Sequence, residues 1–143
     1  MISVVIQTLN NQATLPACLA ALVPAAVDAI VREVIIVDRG STDATLEIAE
    51  DAGAKRADSL DAAVAMAKSD WLLILPPTLR LESGWDAEAA AHVQNGGGRA
   101  ARFRAGGWWP FGGGARALLV RRDRFGQPLR KPRRLDSRAF SIT

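Results

Sequence analysis

The sequence predicts an α/β protein in which a mostly parallel central sheet lies between two layers of helices. Residues 3–6 and 34–37 are short β-branched runs without polar alternation, which is typical of strands buried on both faces. Segments with helical spacing follow these runs, and the strand–helix rhythm continues to a third apolar run at residues 71–75. This alternation predicts βαβ units with right-handed crossovers, and therefore a three-layer sandwich.

The individual elements have local signals. The first predicted helix has apolar residues at helical spacing, namely Leu15, Cys18, Leu19 and Leu22. A second helix is predicted to open after the turn at residues 39–43, with Ser41 or Thr42 as its N-cap. Residues 54–56 are predicted as a short strand and residues 60–68 as an Ala-rich helix. Residues 99–104 and 117–120 are candidates for two further strands.

Length and composition indicate one globular domain, since the chain has 143 residues of which 49% are hydrophobic. We divide it into a domain over residues 1–126, with a nucleotide-binding half at 1–95, and a basic, irregular tail at 127–143. The charge is uneven: residues 1–98 hold 6 Lys/Arg and 13 Asp/Glu, whereas residues 99–143 hold 12 and 2. The basic segment is predicted to bind anions, to be a solvated tail, or to fold onto the acidic half.

Several classes of protein are excluded by what the sequence lacks. There is no apolar run long enough for a transmembrane helix and no secretory signal, so a cytoplasmic location is expected. Cys18 is the single cysteine, which excludes an intrachain disulfide and a cysteine-built zinc site. The dinucleotide-binding and P-loop glycine motifs are also missing. The single histidine, His92, is expected at the surface or in packing rather than in catalysis.

Ligands of open α/β sheets bind beyond the carboxyl ends of the strands, here at residues 7–12, 38–43 and 76–82. The helix predicted after Ser41 would present free backbone N–H groups to a phosphate. Asp38, at a strand end, could accept hydrogen bonds from a base or a ribose. The alternative, that Asp38 and Ser41 only shape the turn, stays open.

Three segments together resemble glycosyltransferase family 2. The first is S-V-V-I-Q-T-L-N-N at residues 3–11, with the helix that follows it, and it is similar to the family's S-V-V-I-P-T-L-N-E. The second is E-V-I-I-V-D-R-G-S-T-D-A-T at residues 33–45, similar to E-V-I-V-V-D-G-G-S-T-D-A-T. The third is S-D-W-L-L-I-L at residues 69–75, similar to G-D-W-L-L-F-L. These segments occur in the family's order, and the resemblance extends over the first 95 residues, about two-thirds of the chain.

The resemblance implies a GT-A, Rossmann-like fold and inverting transfer of a sugar from a UDP- or GDP-sugar donor. It further implies that Thr8, Leu9 and Asp38 line a nucleoside pocket in which Asp38 reads the base. Gly40 and Ser41 would shape the same pocket.

The sequence departs from the family at the catalytic motifs. The family strand leads into D-x-D, whose carboxylates help to hold a divalent cation, but here Pro76, Pro77 and Thr78 follow. Consequently no metal ligand is assigned and no cofactor is expected. The family's L-M-E-D-V-E-L, which contributes the general base, corresponds to residues 129–135, where no carboxylate stands. Asn11 also replaces a glutamate and Arg39 a glycine.

Three functions therefore remain open. The first is an inactive or much reduced transferase homologue that retains nucleotide binding. The second is a metal-independent transferase in which tail arginines such as Arg130 and Arg133 neutralise the diphosphate. Its base would be another carboxylate, the candidates being Asp86, Asp123 and Asp136. The third is an interaction protein, contacting a protein partner or a second copy through Trp108, Trp109 and the basic tail. Nucleic acid is not expected as a partner, whereas peripheral membrane contact is left open.

Overall fold

The computed structural model describes residues 1–105, 116–127 and 132–141. Its strands in chain order are β1 (Ile2–Thr8), β2 (Val31–Asp38), β3 (Lys55–Ala57), β4 (Trp71–Ile74), β5 (Leu79–Leu81), β6 (Ala101–Ala105), β7 (Leu118–Arg121) and β8 (Arg133–Ser141). The helices are α1 (Leu15–Ala20), α2 (Val23–Val27), α3 (Thr45–Asp51), α4 (Leu60–Met66) and α5 (Trp85–Asn95), with a 3₁₀ turn at Arg122–Arg124. None of the helices in these ranges is long and apolar enough to cross a membrane.

All eight strands form one sheet in the order β3-β2-β1-β4-β7-β6-β8-β5. Four of the seven neighbouring pairs are parallel: β1 with β2, β1 with β4, β2 with β3, and β6 with β8. The pairs β4–β7, β6–β7 and β5–β8 are antiparallel. The predicted mostly parallel sheet is therefore confirmed, and the carboxyl ends of β1, β2 and β4 lie at one edge.

Helices cover both faces of the sheet, which confirms the three-layer prediction. On the first face, α1, α2, α3 and α5 contribute Leu15, Ala25, Ala49 and Trp85 to the larger buried cluster. On the second face, α4 packs against β1, β2 and β3 and contributes Ala63 to a smaller cluster. The predicted apolar positions of the first helix lie in the core, since Leu15, Cys18 and Leu22 are buried.

The first helical segment is divided in two where the sequence predicts one helix. Pro24 lies in the first turn of α2, where its missing N–H costs no hydrogen bond. The same proline cannot continue the hydrogen-bond pattern of α1, so α1 ends at Ala20 and α2 begins at Val23. The division does not change which face of the segment is buried.

Strand β2 begins three residues earlier than the predicted apolar run because a buried glutamate is fully bonded within it. Glu33 accepts hydrogen bonds from the Ser3 hydroxyl at 2.6 Å and the Lys68 N–H at 2.7 Å. It also forms an ion pair with Lys55 at 3.0 Å. Burial acts to raise the pKa of Glu33, and these bonds outweigh burial, so its pKa lies below the ordinary value.

His92 is a packing residue. It is 1% exposed on α5, and its ring meets Trp71 edge-on with a centroid separation of 5.7 Å. Its Nε2 lies 2.5 Å from the Arg99 carbonyl oxygen. The backbone of Gly96 passes so close to the ring that a Cβ there would lie 2.6 Å from His92 Cε1. Helix α5 thus ends against its own buried histidine.

The prediction of an irregular tail at residues 127–143 is wrong, because β8 occupies Arg133–Ser141. Strand β8 pairs with β6 on one side and with β5 on the other. Leu135, which is 1% exposed, lies beside Phe103 in the larger core cluster. The inward apolar position of Leu135 stabilises the strand although charged residues flank it on both sides. The division at residue 126 therefore does not mark the end of the sheet.

Candidate functional site

Two loops meet at the carboxyl edge of the sheet because β1 and β2 run in parallel and in register. Thr8 and Asp38 are the last matched pair of the two strands. The Thr8 hydroxyl is 1% exposed and donates to Asp38 Oδ1 at 2.7 Å. The backbone N–H of Arg39 donates to the Thr8 carbonyl at 2.9 Å. The ends of the strands are thus joined through both side chains and backbone.

The Asp38 carboxylate has four donors. Oδ1 accepts from the hydroxyls of Thr8 and Ser41, and Oδ2 accepts from the backbone N–H groups of Gly40 and Ser41 at 3.1 and 2.8 Å. Burial acts to raise the pKa of Asp38, but the hydrogen bonds prevail and lower it to about 2. Gly40 has a φ of 107°, which an L side chain rarely adopts, so the turn favours glycine there.

The loops after β1 and β2 are further connected by side chain–backbone hydrogen bonds in both directions. The N–H groups of Asn10 and Asn11 donate to the hydroxyls of Ser41 and Thr45, each at 2.9 Å. In the other direction, the N–H of Thr42 donates to Asn10 Oδ1 at 2.8 Å. The Gln12 side chain accepts from the N–H of Ala44 at 3.0 Å. The two loops are therefore one bonded unit.

The structure contradicts the predicted N-cap of the second helix, and it shows that most N–H groups of the preceding turn are bonded within the chain. Helix α3 begins at Thr45, with Ala44 as its N-cap and no side-chain cap. Neither Ser41 nor Thr42 caps the helix, since the Ser41 hydroxyl donates to Asp38. The Thr45 N–H donates to Asp43 Oδ1 at 2.9 Å. The N–H groups of Gly40, Ser41, Thr42, Ala44 and Thr45 are thus bonded within the chain and are not free to bind an anion.

The predicted site residues lie together on this edge. Thr8, Asp38 and Ser41 form the bonded centre, Gly40 makes the turn, and Leu9 lies beside them with 52% of its surface exposed. Arg39 is also exposed, and its guanidinium donates to the Gln7 side chain at 3.0 Å. Sequence reasoning missed the roles of Asn10 and Gln12, because the groups that they bind are 32 residues away in the chain.

The third loop follows β4 and does not fit a divalent cation. Pro76, Pro77 and Thr78 are half-buried, and the Pro76 carbonyl accepts from the Leu79 N–H at 3.2 Å. The buried Cys18 thiol, whose pKa is raised to about 12 by burial, lies 3.8 Å from the same carbonyl. Magnesium and manganese require hard oxygen ligands, above all carboxylates. Among the described residues, no group of three His, Cys, Asp or Glu side chains could hold a metal ion.

The remaining sequence candidates are scattered. Arg133 opens β8, four strands from β1, which is about 19 Å at the usual inter-strand spacing. Asp123 is exposed and forms an ion pair with Arg121 at 3.1 Å. Asp86 lies in the first turn of α5, and Asp136 lies within β8. Arg130, Trp108 and Trp109 lie outside the described residues.

The family model for glycosyl transferase family 2 matches residues 3–97, which is most of the chain and includes all three loops. This chain belongs to glycosyltransferase family 2. The resemblance of the three segments and the predicted GT-A-like architecture are thereby confirmed. No curated protein is similar enough to count as a relative.

Solved structures of other proteins resemble the fold of this family 2 domain. Glucosyl-3-phosphoglycerate synthase from Mycobacterium tuberculosis, in complex with Mn²⁺, UDP and glucosyl-3-phosphoglycerate, superposes with a TM-score of 0.67 at 20% identity. The match covers 86% of this chain and 57% of that enzyme. The S. aureus TarS fragment 1–349 with UDP gives a TM-score of 0.63 at 21% identity over 76% of this chain and 36% of the fragment. The chain thus spans little more than half of the first enzyme.

Proposed function

We propose that this family 2 domain binds a nucleotide or nucleotide-sugar without a divalent cation and transfers sugar at a much reduced rate or not at all. The observation that carries the proposal is the turn of Pro76, Pro77 and Thr78, where the family has two metal-binding carboxylates. A divalent cation stabilises the charge that develops on a leaving diphosphate, an effect worth several kcal/mol. Losing its ligands removes that stabilisation.

The nucleoside end of the site is proposed at Thr8, Leu9, Asp38, Gly40 and Ser41. The exposed side chain of Leu9 offers an apolar surface on which a base can pack. All four donors to Asp38 come from the chain itself, so a base N–H can bind the carboxylate only by replacing one of them. The Ser41 hydroxyl is the donor most easily replaced, because a hydroxyl rotates without moving the backbone. The cost of that exchange predicts weak affinity.

The similar structures support the same choice of ligand. The synthase from M. tuberculosis and the S. aureus TarS fragment were both solved with UDP, and both share the fold of this chain. We therefore propose a uridine or guanosine diphosphate, free or joined to a sugar, as the ligand. Where transfer persists, the family resemblance implies inversion at the anomeric carbon.

Calorimetric titration tests the proposal. Purified protein is titrated with UDP, GDP and UDP-glucose, each with and without Mn²⁺, and donor hydrolysis is measured in parallel. We expect weak binding that Mn²⁺ leaves unchanged and that is lost in Asp38→Ala. Asp51→Ala, at the exposed end of α3, is the matched control. A large gain in affinity with Mn²⁺ would reveal a metal site, and no binding of any nucleotide would overturn the proposed pocket.

A metal-independent transferase that uses the tail arginines is the second candidate. It needs a cation beside the diphosphate, which would lie near the ends of β1 and β4. Arg133 is four strands from β1 and three from β4, further than an arginine side chain extends. Measuring the sugar-transfer rate of Arg133→Ala tests whether this residue takes part in transfer. Lost turnover with a retained fold would favour the second candidate over the first.

A further inference from the structure

One cross-strand row of the sheet changes from apolar to basic along its length. Ile35, Val5, Ile74 and Leu118 are matched in register from β2 through β1 and β4 to β7. The same row continues through Arg102 on β6 and Arg134 on β8. Since matched residues share a face, both arginines lie on the face to which α4 belongs.

Helix α4 does not reach the arginine end of that row. It packs against β1, β2 and β3, whereas β6 and β8 are the third and fourth strands beyond β1. Arg134 is exposed and Arg102 is half-buried beside Leu118. In the described part of the chain, neither arginine takes part in the Lys55–Glu33 or Arg121–Asp123 ion pair, or in a side-chain hydrogen bond.

The opposite face of the same strands is a normal core. Ala101, Phe103 and Leu135 are buried there beneath α5. Side chains along β6 and β8 therefore alternate between the buried face and the opposite face. Arg102 and Arg134 lie on the opposite face, at the spacing that the two paired strands impose. Neighbouring strands lie about 4.8 Å apart, so like charges are held close together, at a cost in stability that a bound anion offsets.

The chemistry of this face points to a phosphate-bearing surface. Of the 12 basic residues in residues 99–143, 11 are arginines, whose planar fork bonds phosphate oxygens in pairs. Half-buried Leu118 is matched with Arg102 in the same row, so basic and apolar groups lie side by side as they do at membrane surfaces. Single-stranded nucleic acids are usually bound with aromatic stacking, and the described side chains of this row include no aromatic ring.

We propose that this face, defined by Arg102 and Arg134 with Leu118 at its border, docks the domain on anionic phospholipid. The part of this face beyond α4 meets the headgroup layer, and the guanidinium groups bond the lipid phosphates. The docking needs no nucleotide and no catalysis.

Vesicle flotation tests the docking. The full chain is mixed with phosphatidylcholine vesicles that contain phosphatidylglycerol, and with pure phosphatidylcholine vesicles as the neutral surface. We expect binding to the anionic vesicles alone, weakened by added salt. Arg102→Gln/Arg134→Gln should lower the partition coefficient roughly 30-fold, about fivefold for each charge lost near an anionic surface.

A matched control removes the same charge from the other end of the sheet. Arg32→Gln/Arg56→Gln changes two exposed residues on β2 and β3, and should lower binding by less than about threefold. Equal losses in the two double variants, equal binding to neutral vesicles, or no binding at all would overturn the proposal. Tighter binding to a labelled single-stranded oligonucleotide than to vesicles, at the same salt, would replace it with a nucleic-acid surface. Circular dichroism confirms that each variant is folded.

Discussion

The hydroxyl of Thr8 donates to the carboxylate of Asp38 at 2.7 Å, across the last matched position of two parallel strands. Together with the backbone bond from the Arg39 N–H to the Thr8 carbonyl, this bond joins the ends of β1 and β2 where both loops of the candidate site begin. Thr8 is 1% exposed, so water does not reach its hydroxyl. The geometry of the site therefore depends on the burial of one threonine.

Thr8→Val removes that donor and keeps the shape of the side chain. We expect the free energy of unfolding to fall by about 2 kcal/mol, because a hydrogen bond to a charged group is lost in a buried place. Chemical denaturation measures the change. Thr78→Val is the control, since Thr78 is half-buried and has no side-chain hydrogen bond within the described residues. Equal losses in the two variants would contradict the role given to Thr8.

Asp38→Asn tests the pH dependence of the site. The pKa of Asp38 is lowered to about 2 from an ordinary value of 3.8, so its stabilisation is complete above pH 3.8 and is lost as the pH falls toward 2. The variant should be less stable than the wild type at neutral pH, by up to about 2 kcal/mol. That difference should shrink as the pH approaches about 3.

Denaturation at several pH values checks this expectation. Glu33 and Asp43 also have lowered pKa values, but they titrate in both proteins, so the difference between wild type and variant isolates Asp38. Asp51→Asn, at the exposed end of α3, serves as the control for removing a carboxylate. A difference for Asp38→Asn that stays constant with pH would show that its carboxylate is not specially stabilised.

Gly96→Ala is expected to destabilise the domain by about 2 kcal/mol through overpacking. The new Cβ would lie 2.6 Å from both Cε1 and the carbonyl oxygen of His92, which is closer than real contacts allow. The φ of Gly96 is negative, so steric conflict rather than backbone strain is the cause. Thermal unfolding measures the effect, with Asn95→Ala, at the exposed end of the same helix, as the control. Unchanged stability of Gly96→Ala would mean that the end of α5 moves freely.

Restoring carboxylates after β4 should create a metal response. Pro76→Asp/Thr78→Asp places two acidic side chains where the family has them, and hard oxygen ligands bind Mn²⁺. We expect Mn²⁺ to raise the UDP affinity of this variant while leaving that of the wild type unchanged. Calorimetry measures both proteins, and Pro77→Asp, which supplies a single carboxylate at the middle position, is the control. If Mn²⁺ did not change the UDP affinity of the double variant, the geometry of this loop, and not only its side chains, would differ from that of the family.

Much of the fold could be predicted because burial leaves a direct trace in the sequence. The runs Val4–Ile6 and Ile35–Val37 are apolar on both faces, and the structure places them in the centre of the sheet. The helical spacing of Leu15, Cys18 and Leu22 likewise predicted that these residues are buried. Each of these signals lies within a single strand or helix, so it can be recognised without knowing how the elements pack together.

The bonding of the site could not be predicted, since its partners are far apart in the chain. Asn10 meets Thr42, and Gln12 meets Ala44, only after β1 and β2 have paired. Strand β8 was missed for a related reason: Leu135 is an inward position only when Phe103 lies beside it, and the charged residues around it resemble a solvated tail. Local pattern thus indicated which residues gather at the edge, but not that they satisfy one another's hydrogen bonds.

The sheet begins and ends with its two shortest strands, β3 and β5, which have three residues each. An unpaired outer strand is a template on which another chain can add, and the risk grows with the length of the template. Lys55, Arg56 and Arg80 also place positive charge on these two strands. A domain with a broad open sheet is thereby protected at both ends against the strand-by-strand growth that produces aggregates.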